Sequence, residues 1–188
     1  MNYYSQIGQD QYYIENVIKR KRNGIFLDIG ANDGIHTSNT ATLELELGWT
    51  GILVEPNPTL AEACKKNRPN STVIECAVWN EPMIVEMEVP HATVKKQRGD
   101  LLSRISGLER NEGKFARWFD QGYKKIKVPA KTVTEIIEAH MDAPYDIDYM
   151  SLDTEGAEME GLMSIDFSKI NIKFMTVEWG NRKGYEKE

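Results

Sequence analysis

The stretch Ile25-Phe26-Leu27-Asp28-Ile29-Gly30-Ala31-Asn32-Asp33-Gly34 carries the pattern on which the fold of this chain turns. A short apolar run without alternation marks a strand buried on both faces, as in a parallel sheet. It delivers one acid, Asp28, and then meets a turn bracketed by glycines. Glycine adopts backbone conformations closed to other residues and lets a ligand approach the main chain. The segment that follows, residues 36–47, reads as a helix closed by Gly48. Amides at the start of a helix suit a carboxylate, and Asp28 suits an ammonium group. A zwitterionic amino-acid tail therefore fits the turn built from Gly30, Asn32, Asp33 and Gly34. A dinucleotide is the competing ligand. Its G-x-G-x-x-G fingerprint places a second glycine two residues after the first, so that pyrophosphate can approach. Asn32 holds that position here and the spacing is G-x-x-x-G, which disfavours NAD.

Downstream, Gly51-Ile52-Leu53-Val54-Glu55 reads as a second strand ending in an acid. An acid roughly 20 residues past a glycine turn can accept both hydroxyls of a ribose. Asn57 and Pro58 supply a cap and a first-turn proline for a helix to about Asn67. A third strand is expected over Thr72–Val78. Its end, Glu75-Cys76-Ala77-Val78, should lie at the sheet edge near an adenine, because ligands of open α/β sheets bind beyond the carboxyl ends of the strands. Residues 24–78 thus alternate strand and helix, which predicts a doubly wound, mostly parallel α/β sheet of the Rossmann-like class.

Upstream, residues 10–22 read as a helix with Asp10 as cap, ending in the basic run Lys19-Arg20-Lys21-Arg22. Residues 80–131 break the rhythm: Met83–Val89 and Ile126–Ala130 alternate like strands around a polar stretch. A long insertion in a compact domain is often a lid or binding loop. Trp118, Phe119 and Tyr123 could stack on a sugar face there or form a small local core. Thr132-Val133-Thr134-Glu135 resembles a capping box opening a helix to about His140. Residues 147–153 read as a strand, 155–164 as a helix and 173–178 as a strand, five parallel-type strands in all. Asp153 and Glu178 should share a rim with Asp28 and Glu55. A ring of carboxylates is costly unless compensated, by a sulfonium cation or a divalent metal for example.

The chain has 188 residues, the size of one domain, and residues 1–188 read as a single unit with an N-terminal helical segment over 1–23. The formal net charge of -6 argues against broad binding to a phosphate backbone. Cys64 and Cys76 form no paired motif and read as plain thiols in a reducing compartment. The first residues lack the apolar core of a signal peptide, and no run approaches roughly 18 apolar residues. The expectation is a cytoplasmic protein without a membrane anchor, its oligomeric state unassigned.

Taken in order, these stretches resemble the FkbM family of methyltransferases. The match rests on Gly8-Gln9-Asp10, the Asp28–Gly34 turn, Ser38-Asn39-Thr40, Gly48-Trp49-Thr50-Gly51 and Glu55-Pro56-Asn57-Pro58. It continues through Ser106-Gly107-Leu108, Leu152-Asp153-Thr154-Glu155-Gly156 and Val177-Glu178. The resemblance implies S-adenosylmethionine as methyl donor and a hydroxyl acceptor, often on a sugar or polyketide. It implies that the Gly30 turn holds the methionine part and Glu55 the ribose. Asn39 and Asn57 join the cofactor side, and the Asp153-Thr154-Glu155 rim faces the transferred methyl. A complete methyltransferase sheet normally carries a further C-terminal hairpin that helps shape the acceptor side. That hairpin is not in this sequence, so the chain is either truncated or completes its sheet differently.

Methyl transfer to a hydroxyl benefits from a base within hydrogen-bond reach. Asp153 is the first candidate, Glu178 the second and His36 a weaker third; His91 and His140 suggest no role. A version assisted by magnesium would use Asp153, Glu178 and Asn181, hard oxygen ligands of the kind that ion prefers. An NAD-type oxidoreductase and a non-catalytic binding protein are the competing functions. Nucleic-acid methylation is disfavoured, because Asp153-Thr154-Glu155-Gly156 stands where a base-flipping enzyme carries a Pro-Pro-aromatic loop.

Overall fold

A computed structural model describes residues 1–90, 103–106 and 122–178. Five strands form a wholly parallel sheet: β1 (Ile25–Ile29), β2 (Thr50–Val54), β3 (Thr72–Ile74), β9 (Tyr149–Leu152) and β11 (Met175–Val177). Their order is β11-β9-β1-β2-β3. The chain winds outward from β1 to β3, then returns to the other side of β1 with β9. This is the mixed α/β, Rossmann-like arrangement expected from the alternation.

The strands are apolar on both faces because helices cover both. On one side Phe26, Leu53 and Tyr149 pack with Leu43 and Leu47 of α2 (Ala41–Leu47) and Cys64 of α3 (Pro58–Asn67), together with Tyr13, Ile14 and Trp49. On the other, Leu27, Ile29, Ile52, Val54, Met150 and Leu152 pack on Val133, Ile136 and Ile137 of α4 (Val133–His140). Two local signals match the helices they open. Asn57 Oδ1 accepts from Thr59 N at 3.1 Å with Pro58 in the first turn. Thr132 and Glu135 form a reciprocal capping box on α4.

Several boundaries differ from expectation. Asp10 does not cap the first helix. Gly8 (φ +90°) precedes α1 (Gln9–Tyr12), and the buried Asp10 carboxylate turns back to accept from Tyr4 N and Ser5 N. The helix widens into a π-helical turn over Tyr13–Val17. The basic run then forms a turn, with Lys19 (φ 49°) and Arg20 (φ 61°) left-handed, rather than a helix end. The helix expected from residue 36 begins at Ala41. The expected strand 72–78 splits: β3 stays in the central sheet, while β4 (Ala77–Val78) pairs with β7 (Tyr123–Lys131). The expected strand 147–153 breaks at Asp148 into β8 (Tyr145–Ile147) and β9. Asp148 binds Ile25 N, Lys21 and Lys173 at the break. β8 pairs with β10 (Ile170–Ile172), a strand that sequence reading did not anticipate. The helix expected from 155 begins at Glu158, as α5 (Glu158–Met163).

The strands expected in the insertion are present as β5 (Met83–Pro90) and β7 (Tyr123–Lys131). They pair antiparallel and, with β6 (Arg104–Ile105), build a second sheet of order β4-β7-β5-β6. His91, Trp118, Phe119 and Asn181 lie outside the described residues. Among those described, no helix is long and apolar enough to cross a membrane.

Candidate active site

Backbone hydrogen bonding runs one residue past each central strand. Glu55 N donates to Ile74 O (3.0 Å), Gly30 N to Val54 O (2.9 Å), Asp153 N to Ile29 O (2.9 Å) and Glu178 N to Leu152 O (2.8 Å). These residues therefore stand in a row along the carboxyl edge, at the point where the strand order reverses, the usual ligand position in such sheets. A cleft of about 490 Å³ opens there. Asp28, Glu55, Asp153, Glu155 and Glu178 line it, with no lysine or arginine among the described lining residues.

Glu55 is buried, and each of its oxygens holds a different loop. Oε2 accepts from Asn32 N (2.9 Å) and Oε1 from Asn57 N (2.8 Å). Burial pushes its carboxyl up to about 7, against those two amide bonds and with the charges of Asp28 and Asp33 adding to the rise. Each oxygen keeps a lone pair for a further donor.

The turn after β1 is not a helix start. Asp33 N donates to Asn32 Oδ1, while Ile35 N and His36 N both donate to Asp33 Oδ1. Gly30 (φ +82°) is required by the neighbouring strand end: a Cβ there would lie 1.6 Å from Asp153 O. Gly34 is required by packing, since its Cβ would meet Arg68 Cγ at 2.7 Å and Cys64 Sγ at 2.9 Å.

Asp28 is buried beneath the turn. Its Oδ2 accepts from Thr40 Oγ1 (2.5 Å) and Ser38 Oγ (3.5 Å). Burial raises its proton affinity, while the charge of Arg68 and these two hydroxyls oppose the rise. Arg68 is itself fully buried. It pairs with Glu44 (2.8 Å) and donates to Gly34 O, Thr40 O and Thr40 Oγ1, so one guanidinium ties residues 34–40 to α2. Beside Asp28, Asn39 Nδ2 donates to Ser151 Oγ (2.9 Å), while Asn39 Oδ1 is buried without a hydrogen-bond partner among the described residues.

At the other end of the cleft, carboxylate oxygens of Asp153, Glu155 and Glu178 all lie within 4.8 Å of one another. Burial raises the proton affinity of Asp153, and the charge and shared hydrogen bond of Glu178 raise it further. Glu158 shapes this rim: its Oε1 accepts from Thr154 N (3.0 Å), Thr154 Oγ1 (3.1 Å) and Gly156 N (2.8 Å). The loop it gathers holds Glu155 at φ 55°.

Of the residues singled out from sequence, Asp28, Gly30, Asn32, Asn39, Glu55, Cys76, Ala77, Asp153 and Glu178 line the cleft, as does His36. Asp33, Gly34 and Asn57 do not; they brace the loops from behind. Cys76 is buried, and desolvation pushes its thiol up to about 11. Glu155, which the resemblance placed on the rim, lines the cleft too; sequence reading missed Gln6, Ser151 and the insertion residues Met87, Ser103 and Ile105, all of which line it. None of these carried a local signal that marked it.

A family model described as Methyltransferase FkbM domain matches residues 28–188. The chain is also similar to a crystal structure of methyltransferase FkbM from Methylobacillus flagellatus KT, at 14% identity and a TM-score of 0.46. That match covers 86% of this chain and 34% of the other, so this chain spans about a third of that protein's length. No curated protein matches significantly.

Proposed function

The chain belongs to the FkbM methyltransferase family, and from that membership we propose that it moves a methyl group from S-adenosylmethionine to a hydroxyl oxygen of a small metabolite, of the sugar or polyketide kind. The observation that carries the reading is the charge of the cleft: five carboxylates and no lysine or arginine among the described lining residues. Such a site favours a cation and repels a pyrophosphate, which counts against a dinucleotide.

The residues present fit the donor. Asn39 Oδ1, without a partner among the described residues, and the Asp28 carboxylate are acceptors for its ammonium, and Glu55 has lone pairs for two ribose hydroxyls. Cys76 and Ala77 offer an apolar edge for the adenine. When bound, the donor supplies a methyl on positive sulfur, open to in-line attack by oxygen.

The chain's own contribution is positioning and proton transfer. Holding the acceptor oxygen in line is worth a large part of the barrier. Asp153 receives the hydroxyl proton as the new C–O bond forms. Its raised proton affinity makes it a better base than an ordinary carboxylate. Glu178 shares that proton and keeps Asp153 oriented. Met87, Ser103 and Ile105, the described lining residues from the 80–131 insertion, cover one side of the cleft within a single domain.

Calorimetry with S-adenosylmethionine, S-adenosylhomocysteine and NAD tests the reading, followed by transfer of a labelled methyl to hydroxyl acceptors. Binding of the two methionine-derived ligands but not NAD, lost in Glu55→Ala, is expected. Tight NAD binding, or no binding of either methionine derivative, would sink it. Binding without turnover on any hydroxyl panel would favour a non-catalytic binding protein.

A further inference from the structure

The amino-acid tail of S-adenosylmethionine brings a carboxylate into a cleft already crowded with acids, and that carboxylate needs a donor. The sequence suggested amides at the start of a helix, but in the structure the amides of residues 30–36 are engaged. Gly30 N and Ala31 N donate to Val54 O, Asn32 N to Glu55, Asp33 N to Asn32, and Ile35 N and His36 N to Asp33. The lining hydroxyls and amide nearby are engaged as well: Thr37 Oγ1 with His36 O, Ser38 Oγ with Asp28, Asn39 Nδ2 with Ser151.

Gln6 differs. It lines the cleft, and its carboxamide makes no hydrogen bond with the described residues. The N-terminal segment that carries it is held from several sides. Asn2 N donates to Glu46, Thr42 Oγ1 donates to Asn2 O (2.6 Å), and the buried Asp10 accepts from Tyr4 N (2.7 Å), Ser5 N and Ser5 Oγ. A parallel bridge joins Ser5 to Thr37. One residue beyond the bridge on each segment stand Gln6 and Ser38, and Ser38 is bonded to Asp28. An ammonium and a carboxylate on one carbon need an acceptor and a donor side by side, which this juxtaposition offers.

We propose that Gln6, fixed over the cleft by the Asp10-clamped N-terminal segment, donates its carboxamide N–H to the carboxylate of the methyl donor's amino-acid tail. The proposal rests on the cofactor reading above and concerns a residue outside the stretch matched by the family.

The test compares S-adenosylhomocysteine with methylthioadenosine, which keeps the nucleoside and sulfur but lacks the tail, on wild type, Gln6→Ala and Gln6→Glu. Gln6 is exposed, so both variants should fold. Gln6→Ala is expected to weaken S-adenosylhomocysteine by ~10-fold or more, the scale of a lost hydrogen bond to a charged group, and to leave methylthioadenosine unchanged. Gln6→Glu should weaken the former further. Unchanged S-adenosylhomocysteine binding, or equal weakening of both ligands, would overturn the role of Gln6 and leave the cofactor reading intact. A wild type that binds neither ligand would overturn both.

Discussion

At Gly30 the backbone of β1 passes so close to Asp153 that a methyl group would sit 1.6 Å from a carbonyl oxygen, at a φ of +82°. Neither the clash nor the left-handed backbone can be relieved without parting the ends of β1 and β9. Gly30→Ala is therefore expected to destabilise the protein by more than about 4 kcal/mol, beyond the ordinary range of single substitutions, as read by urea denaturation without ligand. A variant that folds normally and loses only ligand binding would contradict this account. The need for glycine was legible in the sequence; its cause was not, because the atom that forbids a side chain comes from a strand end far along the chain. Glu55 is similar. Its place at a strand end was readable, but its grip on the amides of Asn32 and Asn57 depends on how two loops fold around it.

The loop over residues 34–40 is tied to α2 by a buried ion pair. Arg68 and Glu44 are both fully buried, and Glu44 also accepts from Asn70 N (3.0 Å) and Ser71 Oγ (2.6 Å). Removing one partner of such a pair strands the other charge. Arg68→Met should cost about 3–5 kcal/mol by that principle, and adding Glu44→Leu should recover part of the loss; a double variant less stable than Arg68→Met would argue against stranded charge as the cause. The same loop shows why element boundaries were only partly legible. α3 and α4 matched because their signals, Asn57-Pro58 and Thr132–Glu135, act within one turn. α2 starts late because Ser38 Oγ and the Asp33 carboxylate take backbone amides that a helix would otherwise use. The split of the third strand left no local mark, since β4 is recruited by β7, a strand far along the chain.

Over the whole molecule, acids outnumber bases by 29 to 23, and the acids gathered in the cleft work against one another. Asp28, Glu55 and Asp153 all have raised proton affinities, with burial the first cause in each. A carboxyl raised on folding adds stability below its unfolded value, and that contribution fades as pH climbs through its folded value. For Glu55 that window runs from 4.5 to about 7. The ligand-free protein should thus lose thermal stability as pH rises across this range, while binding of the proposed sulfonium donor should strengthen and release protons. Calorimetry in two buffers of different ionisation enthalpy measures that release; proton uptake on binding would contradict the prediction. The parallel sheet and its helical layers were legible because buried strands and caps are written locally. The second sheet was legible only as isolated strands, its pairings being long-range. That second sheet also divides the labour of variation. Cys76 to Val78 form the joint between an anvil and a jaw: the rim acids stay at fixed spacing on inter-strand amides, while Met87 of β5, Ile105 of β6 and Ser103 just before it form the opposing surface. On the proposed reading, substitutions in the jaw retool what is gripped without disturbing the anvil on which the chemistry is struck.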